Sequence, residues 1–329
     1  MYKVIIQGRL DFGNENTYSK ALKLYIQRKD GYYKNEVIFS KPEEHFNESK
    51  FHFQIKRYVQ YSSDKYWMNT VHLLQNLAQY AIAGTISMWM MNEGKAIKRE
   101  IIQPSNEKSI NNAYKKALKI LDAPDKQEQL NKLLDEILDK YPEHTQALAM
   151  KGRYHTRQKD IKKATKYFDR AIEADEDNSI AYLWKGKMFM TIERYEEALL
   201  ALQKSVEISV AQESHHWTGR RLKGLCYFKL ENWEDCTFEW RLFVKRAFEK
   251  GDSNYYWKRA VMVGFGKANL QQGKKGEAVL AFDQALDLDS LFDNIPQEVI
   301  AGYRDQALGK STGATAKSKA NRSTSKVPK

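Results

Sequence analysis

The sequence predicts an α+β N-terminal domain over residues 1–105, an all-α helical solenoid over 106–309 and a disordered basic tail over 310–329. Three observations carry this reading. Residues 1–105 alternate apolar and polar side chains with a period of two, broken by two stretches of helical period. From Gly152 onward a glycine, small, bulky, small pattern returns at Gly186, Gly224 and Gly266, and self-similarity at a long period marks stacked repeats. The tail holds six Lys or Arg, no acid and no aromatic ring, too little apolar surface to pack a core.

Composition agrees with two domains, since 329 residues with 42% hydrophobic and 29% charged side chains suffice for more than one core. The net charge of +12 is uneven. Residues 1–105 carry 15 Lys+Arg against 10 Asp+Glu, residues 106–309 carry 33 against 32, and the positive excess therefore lies at the two ends.

In the N-terminal part, residues 2–10 read as a strand, followed by a helix at about 16–28 with Tyr18, Leu22, Tyr25 and Ile26 on one side. A weaker strand is expected at 35–39. The next is clearer: Phe51, Phe53, Ile55 and Val59 on one face and His52, Gln54, Lys56 and Gln60 on the other. Ser62-Ser63-Asp64 starts a helix at about 64–82 that presents Trp67, Val71, Leu74 and Leu77. Strands at 85–91 and 95–102 follow, joined at Asn92-Glu93-Gly94. This order, strand, helix, strand, strand, helix, strand and one more strand, resembles a ferredoxin-like sandwich. Such a fold serves RNA binding, dimerisation and catalysis alike and names no function. The Gly-aromatic strand motif of RNA-binding modules is not written here, although Tyr58 and Tyr61 are conceivable stacking platforms.

In the repeats, Gly152 is followed by Ala164, Phe168 and Ala171, and the last copy reads Gly266, Ala278, Phe282, Ala285. The middle copies are Gly186, Ala198, Leu202, Ser205 and Gly224, Cys236, Trp240, Phe243. Glycine and a small residue are needed where two helices cross closely, and the bulky side chain fills the space beside them. A degenerate first unit is expected at about 108–142, with Leu118, Leu130, Leu134 and Ile137 as its apolar positions. Glycine spacings of 34, 38 and 42 imply insertions at 210–216 and 250–256. After Asn294-Ile295-Pro296, a final helix with Val299, Ile300, Tyr303 and Ala307 should close the apolar end.

These copies resemble the tetratricopeptide repeat, a helix-turn-helix of 34 residues, over roughly residues 106–310. The resemblance implies a concave face lined by the first helix of each unit, where such proteins usually bind peptides. By register that face holds Lys115 and Lys119, then Ala149, Arg153 and Arg157, then Leu183, Trp184, Lys187 and Met190. Arg221, Leu225 and Phe228, and Val263, Lys267 and Leu270, complete it. Seven cations and no acid occur among these positions, so the groove should prefer an acidic or C-terminal carboxylate-bearing segment, anchored on Trp184, Met190 and Phe228. The plainer alternative is that they are solvated faces of amphipathic helices. The family's chaperone-tail clamp is not matched, because its positions hold Ala149, Arg153, Trp184, Thr218 and Leu222.

A search for chemistry yields little. No phosphate loop and no Gly-x-Ser-x-Gly elbow is present, and no histidine pair has a hydrolytic spacing. His215 and His216 with Cys226 and Cys236 lack the cysteine spacing of a zinc site, and the cysteines read as reduced packing residues. The opening residues lack a secretory pattern and Leu73 to Met91 is too polar to span a bilayer, which implies a cytoplasmic protein without membrane insertion. The expectation is a non-enzymatic scaffold or adaptor that needs no cofactor and binds a protein or peptide partner. Two other readings stay open: a nucleic-acid-associated protein using its basic head and tail, and an enzymatic head targeted by the repeats.

Overall fold

A computed structural model of the chain describes residues 1–106, 108–289 and 293–310; the tail read from sequence therefore lies outside it, Lys310 apart. The chain forms two compact units. One comprises Met1–Met188 with Glu207–Gln212, the other Phe189–Val206 with the residues from Glu213 onward.

The first unit begins with β1 (Tyr2–Asp11), α1 (Glu15–Gln27), β2 (Phe46–Asn47), β3 (His52–Ser62), α2 (Asp64–Ala78), β4 (Ala83–Asn92) and β5 (Lys95–Ile102). Both helices start on a side-chain cap, Asn14 accepting from the Thr17 amide and Ser63 from the Tyr66 amide. The strands pair antiparallel in the order β2-β3-β1-β4-β5, so the element order expected from the sequence closes into one sheet with β5 as the added edge. Val4, Ile6 and Leu10 of β1 pack with Tyr18, Tyr25, Trp67 and Leu74 of the helices in one core.

Two sequence expectations fail here for physical reasons. Residues 35–39 are not a strand, because side chains take their backbone groups: the Ile38 amide donates to Thr70 Oγ1, and the carbonyls of Glu36 and Phe39 accept from Asn69 and Tyr25. Val37 and Phe39 are nonetheless buried. Val59 does not share the face of Phe53 and Ile55. The β1–β3 register slips between Ile6 and Gly8, since Ile6 faces Tyr58 and Gly8 faces Ile55. This bulge inverts the alternation after Lys56, turning Tyr58 toward the core and leaving Val59 43% exposed.

The other face of the sheet is also covered. Ile5, Trp89 and Met91 are buried with Val210, and the Arg57 guanidinium, displaced by the bulge, donates to the carbonyls of Glu207, Ile208 and Ser209. Arg9 and Asp11 form a buried pair at 2.5 Å, with Arg9 also donating to the Ala174 carbonyl and Gln54 donating to Asp177. Burial pushes the Asp11 carboxyl up against the pull of Arg9, and raises Asp175 to about 6.

The unit continues with α3 (Lys108–Ile120), α4 (Gln127–Lys140), α5 (Thr145–Arg157), α6 (Ile161–Ala174) and the start of α7 (Ser179–Thr191). Leu130, Leu134 and Ile137 are buried as expected, but Leu118 is exposed; α3 turns Ile110, Ala113 and Ala117 inward instead, one position out of phase with Leu118.

The second unit holds most of α8 (Tyr195–Ile208), then α9 (Ser214–Lys229), α10 (Trp233–Lys245), α11 (Lys258–Gln271), α12 (Lys275–Leu286) and α13 (Gln297–Ala307). Its core runs from Cys236 and Trp240 through Phe265 and Phe282 to Ile300 and Ala307 of the closing helix, while Val299 points to solvent. The longer insertion, 250–256, folds back on α9: Asn254 is buried and bonds the Ser214 carbonyl and the Thr218 hydroxyl.

The repeat glycines behave as their spacing suggests. A β-carbon on Gly152, Gly224 or Gly266 would stand 2.7, 2.3 or 2.6 Å from the ring of Phe168, Trp240 or Phe282 on the partner helix. Seven residues after each repeat glycine the chain turns through a left-handed residue, Lys159, Glu193, Glu231 or Gly273, with φ of 59°, 60°, 57° and 73°.

Candidate functional site

The first-helix positions named above fall in both units, and each unit gathers its own set. In the first, Arg153 and Arg157 lie one turn apart on α5 and both reach Asp122, which stands in the turn after α3. Arg157 also donates to the Leu121 carbonyl. Partial burial alone pushes Asp122 up, but the two guanidiniums together hold it below its ordinary range. Arg153 lies 5.1 Å from the ring centre of Trp184, a cation–π contact. Trp184 is half-buried, flanked by the cores of α3–α5 and α5–α7. Lys115 and Lys119 are exposed on α3, and Lys187 is half-buried with a partner of its own. The set of cations thus contains an acid after all. Asp122 comes from a turn, where first-helix register does not look.

In the second unit Arg221 of α9 lies 4.1 Å over the ring of Trp257, which precedes α11. Among the described residues nothing accepts a hydrogen bond from its guanidinium or pairs with its charge, and its Nε is shut off from solvent. Desolvation lowers its pKa to about 10. Its carbonyl accepts from Trp240 Nε1 at 3.0 Å, which fixes the start of the side chain. Lys267 lies 4.1 Å over Tyr303 of α13. Phe228 packs on Trp233 and Trp240 at 5.3 and 5.6 Å, so its ring serves the hairpin, and Met190 is half-buried. Three times, then, a cation on a first helix is laid on an aromatic ring from the following one or its approach: Arg153 on Trp184, Arg221 on Trp257, Lys267 on Tyr303. The register of the concave face does not include Trp257 and Tyr303: Trp257 lies just after the 250–256 insertion, and Tyr303 reads only as an apolar position of the closing helix.

Elsewhere the structure offers less. Tyr58 meets Phe39 edge-on at 5.0 Å within the core and is no platform, while Tyr61 is 70% exposed. Cys226 and Cys236 are buried free thiols, pushed up to about 12 by desolvation. Among the described residues no group of three His, Cys, Asp or Glu is placed to hold a metal, and no helix is long and apolar enough to cross a membrane.

Comparison with known proteins identifies the helices. The tetratricopeptide repeat family model matches residues 131–179 and 150–214, so this stretch of the chain carries tetratricopeptide repeats. A search of curated proteins gives no match. Among solved structures, PilF of Pseudomonas aeruginosa aligns at 14% identity with a TM-score of 0.52, over 64% of this chain and 89% of its own. PilW, described as a widely conserved type IV pilus biogenesis factor, aligns at 15% identity with a TM-score of 0.49, over 67% and 96%. YrrB, described as a tetratricopeptide-repeat protein with an unusual peptide-binding site, aligns at 18% identity with a TM-score of 0.42, over 54% and 84%. At such identities PilF is evidence for the fold alone.

Proposed function

We propose that this chain is a non-enzymatic scaffold whose first helices hold a carboxylate-bearing segment of another protein. Arg221 against Trp257 receives a carboxylate in the second unit, and Arg153 and Arg157 beside Trp184 offer a separate acceptor within the first. The observation that carries the reading is Arg221. A desolvated guanidinium with an unsatisfied Nε is costly to maintain, and a buried polar group without a partner calls for an explanation. A ligand carboxylate supplies both the charge and the acceptor, and an arginine preset on an aromatic face loses little freedom in binding it.

The first-unit cluster is a weaker acceptor, since Asp122 already occupies its guanidiniums and a ligand must compete with it. The test is fluorescence anisotropy with a series of acidic peptides, each with a free or an amidated C-terminus. Arg221→Gln should weaken binding at least tenfold while Arg221→Lys recovers part of it, and Arg153→Ala with Trp184→Ala should weaken it less. Peptides that bind Arg221→Gln as well as the parent chain would overturn the assignment.

A further inference from the structure

The second helices of the hairpins in the second unit expose large apolar side chains at one recurring position. Leu200 on α8, Phe238 on α10 and Leu280 on α12 each stand two residues after the small residue of their repeat, Ala198, Cys236 and Ala278. They are 74%, 57% and 63% exposed. Single exposed hydrophobics are ordinary on protein surfaces, but a position that repeats through consecutive units makes a row. The first full copy breaks it with an exposed Lys166 at the same place. Arg241 of α10 bonds Glu277 of α12 at 3.2 Å, linking the two helices through side chains that stand three residues from Phe238 and from Leu280.

Acids border the row along one edge. Three residues before each apolar side chain stands Glu197, Asp235 or Glu277, and four before the first two stand Glu196 and Glu234. Glu197 already pairs with Arg194 and Glu277 with Arg241, so that Glu196, Glu234 and Asp235 carry the border's charge. On a helix, residues three and four apart are neighbours, so each apolar side chain has a carboxylate one turn toward the helix start. The apolar position recurs once per hairpin, and a partner helix with aliphatic side chains at i, i+7 and i+14, about 10.5 Å apart, offers one contact to each of α8, α10 and α12.

We propose that this row is a docking surface for a basic amphipathic helix of another protein, which sets aliphatic side chains on Leu200, Phe238 and Leu280 and lysines or arginines against the acidic border. The surface is separate from the first-helix positions and does not depend on what Arg221 binds.

The test uses the full chain and a synthetic helical peptide of about 18 residues, roughly 27 Å long, with leucine at i, i+7 and i+14 and lysine along one flank. The chain should bind it, and Phe238→Ser with Leu280→Ser should weaken binding at least tenfold, with unchanged circular dichroism and melting. Glu234→Lys with Asp235→Lys should weaken it comparably and flatten its salt dependence, while Arg221→Gln leaves it unaltered. Failure of the parent chain to bind, equal binding by both double variants, or equal binding of a peptide with glutamate in place of lysine would overturn the proposal. Sedimentation equilibrium and pelleting with phosphatidylcholine vesicles address the other occupants: self-association or lipid binding abolished in Phe238→Ser with Leu280→Ser would assign the row to a second copy or to a membrane, and would overturn it too.

Discussion

Gly152 faces the ring of Phe168 so closely that a β-carbon on the glycine would come within 2.7 Å of it. The ring cannot retreat, because Phe168 is fully buried between α5 and its neighbours. Gly152→Ala should therefore destabilise the first unit by about 1–3 kcal/mol, the usual cost of overpacking. Gly276→Ala serves as the control, since nothing lies within 4 Å of it and helix propensity alone should add up to about 1 kcal/mol. Urea unfolding of both variants checks the pair.

The turns between helices offer a gain. Glu231 holds φ at 57°, a left-handed conformation that Gly273 adopts at the equivalent place. A residue with a side chain is strained there by roughly 1–2 kcal/mol. Glu231→Gly should raise stability by about 1 kcal/mol, less what glycine gives back to the unfolded chain. A lower urea midpoint for the variant would contradict the geometry.

His144 caps α5, its ring nitrogen accepting the Ala147 amide at 3.3 Å, and burial holds its pKa at about 4. The fold needs the neutral ring, whereas the unfolded chain takes up a proton below about pH 6.5. The cap's contribution is fully present above that pH and is lost as pH falls from about 6.5 to 4, by up to about 1.4 kcal/mol per unit. Asp175, raised to about 6, acts in the opposite sense over part of this range. His144→Asn keeps a capping acceptor without the titration, so its unfolding free energy should fall less on acidification than the parent's. Parallel pH profiles would sink the idea.

Arg57 gathers three consecutive carbonyls, those of Glu207, Ile208 and Ser209. Because the side chain is open to water, Arg57→Ala should cost only about 1 kcal/mol of global stability. Its local effect should be larger, with faster amide exchange confined to residues 207–212 on hydrogen–deuterium mass spectrometry.

Much of this fold is legible in the sequence because it is local. Period-two and helical patterns place β1, α1, α2, β4 and β5 within a few residues, and the glycines with their partner rings fix the repeat register. What stays hidden depends on long-range pairing. The bulge after Lys56 follows from how β3 meets β1, and no alternation in 51–60 announces it. Val37 and Phe39 look like strand residues because they are buried, yet Tyr25, Asn69 and Thr70 take their backbone bonds. At the candidate site, first-helix register finds Arg153, Arg157 and Arg221. It misses Asp122 and Trp257, which lie in connections and decide which of those cations is already satisfied.

The sheet's second covering has a consequence for synthesis. β1 and β4 emerge early from the ribosome, but the groups that shelter Arg9 and Trp89, the Ala174 carbonyl and Val210, are made much later. At roughly 5–20 residues per second, the nascent sheet waits several seconds with a tryptophan and an unshielded charge pair facing water. A fragment truncated after Ile102 would wait indefinitely, and should be recovered as aggregate.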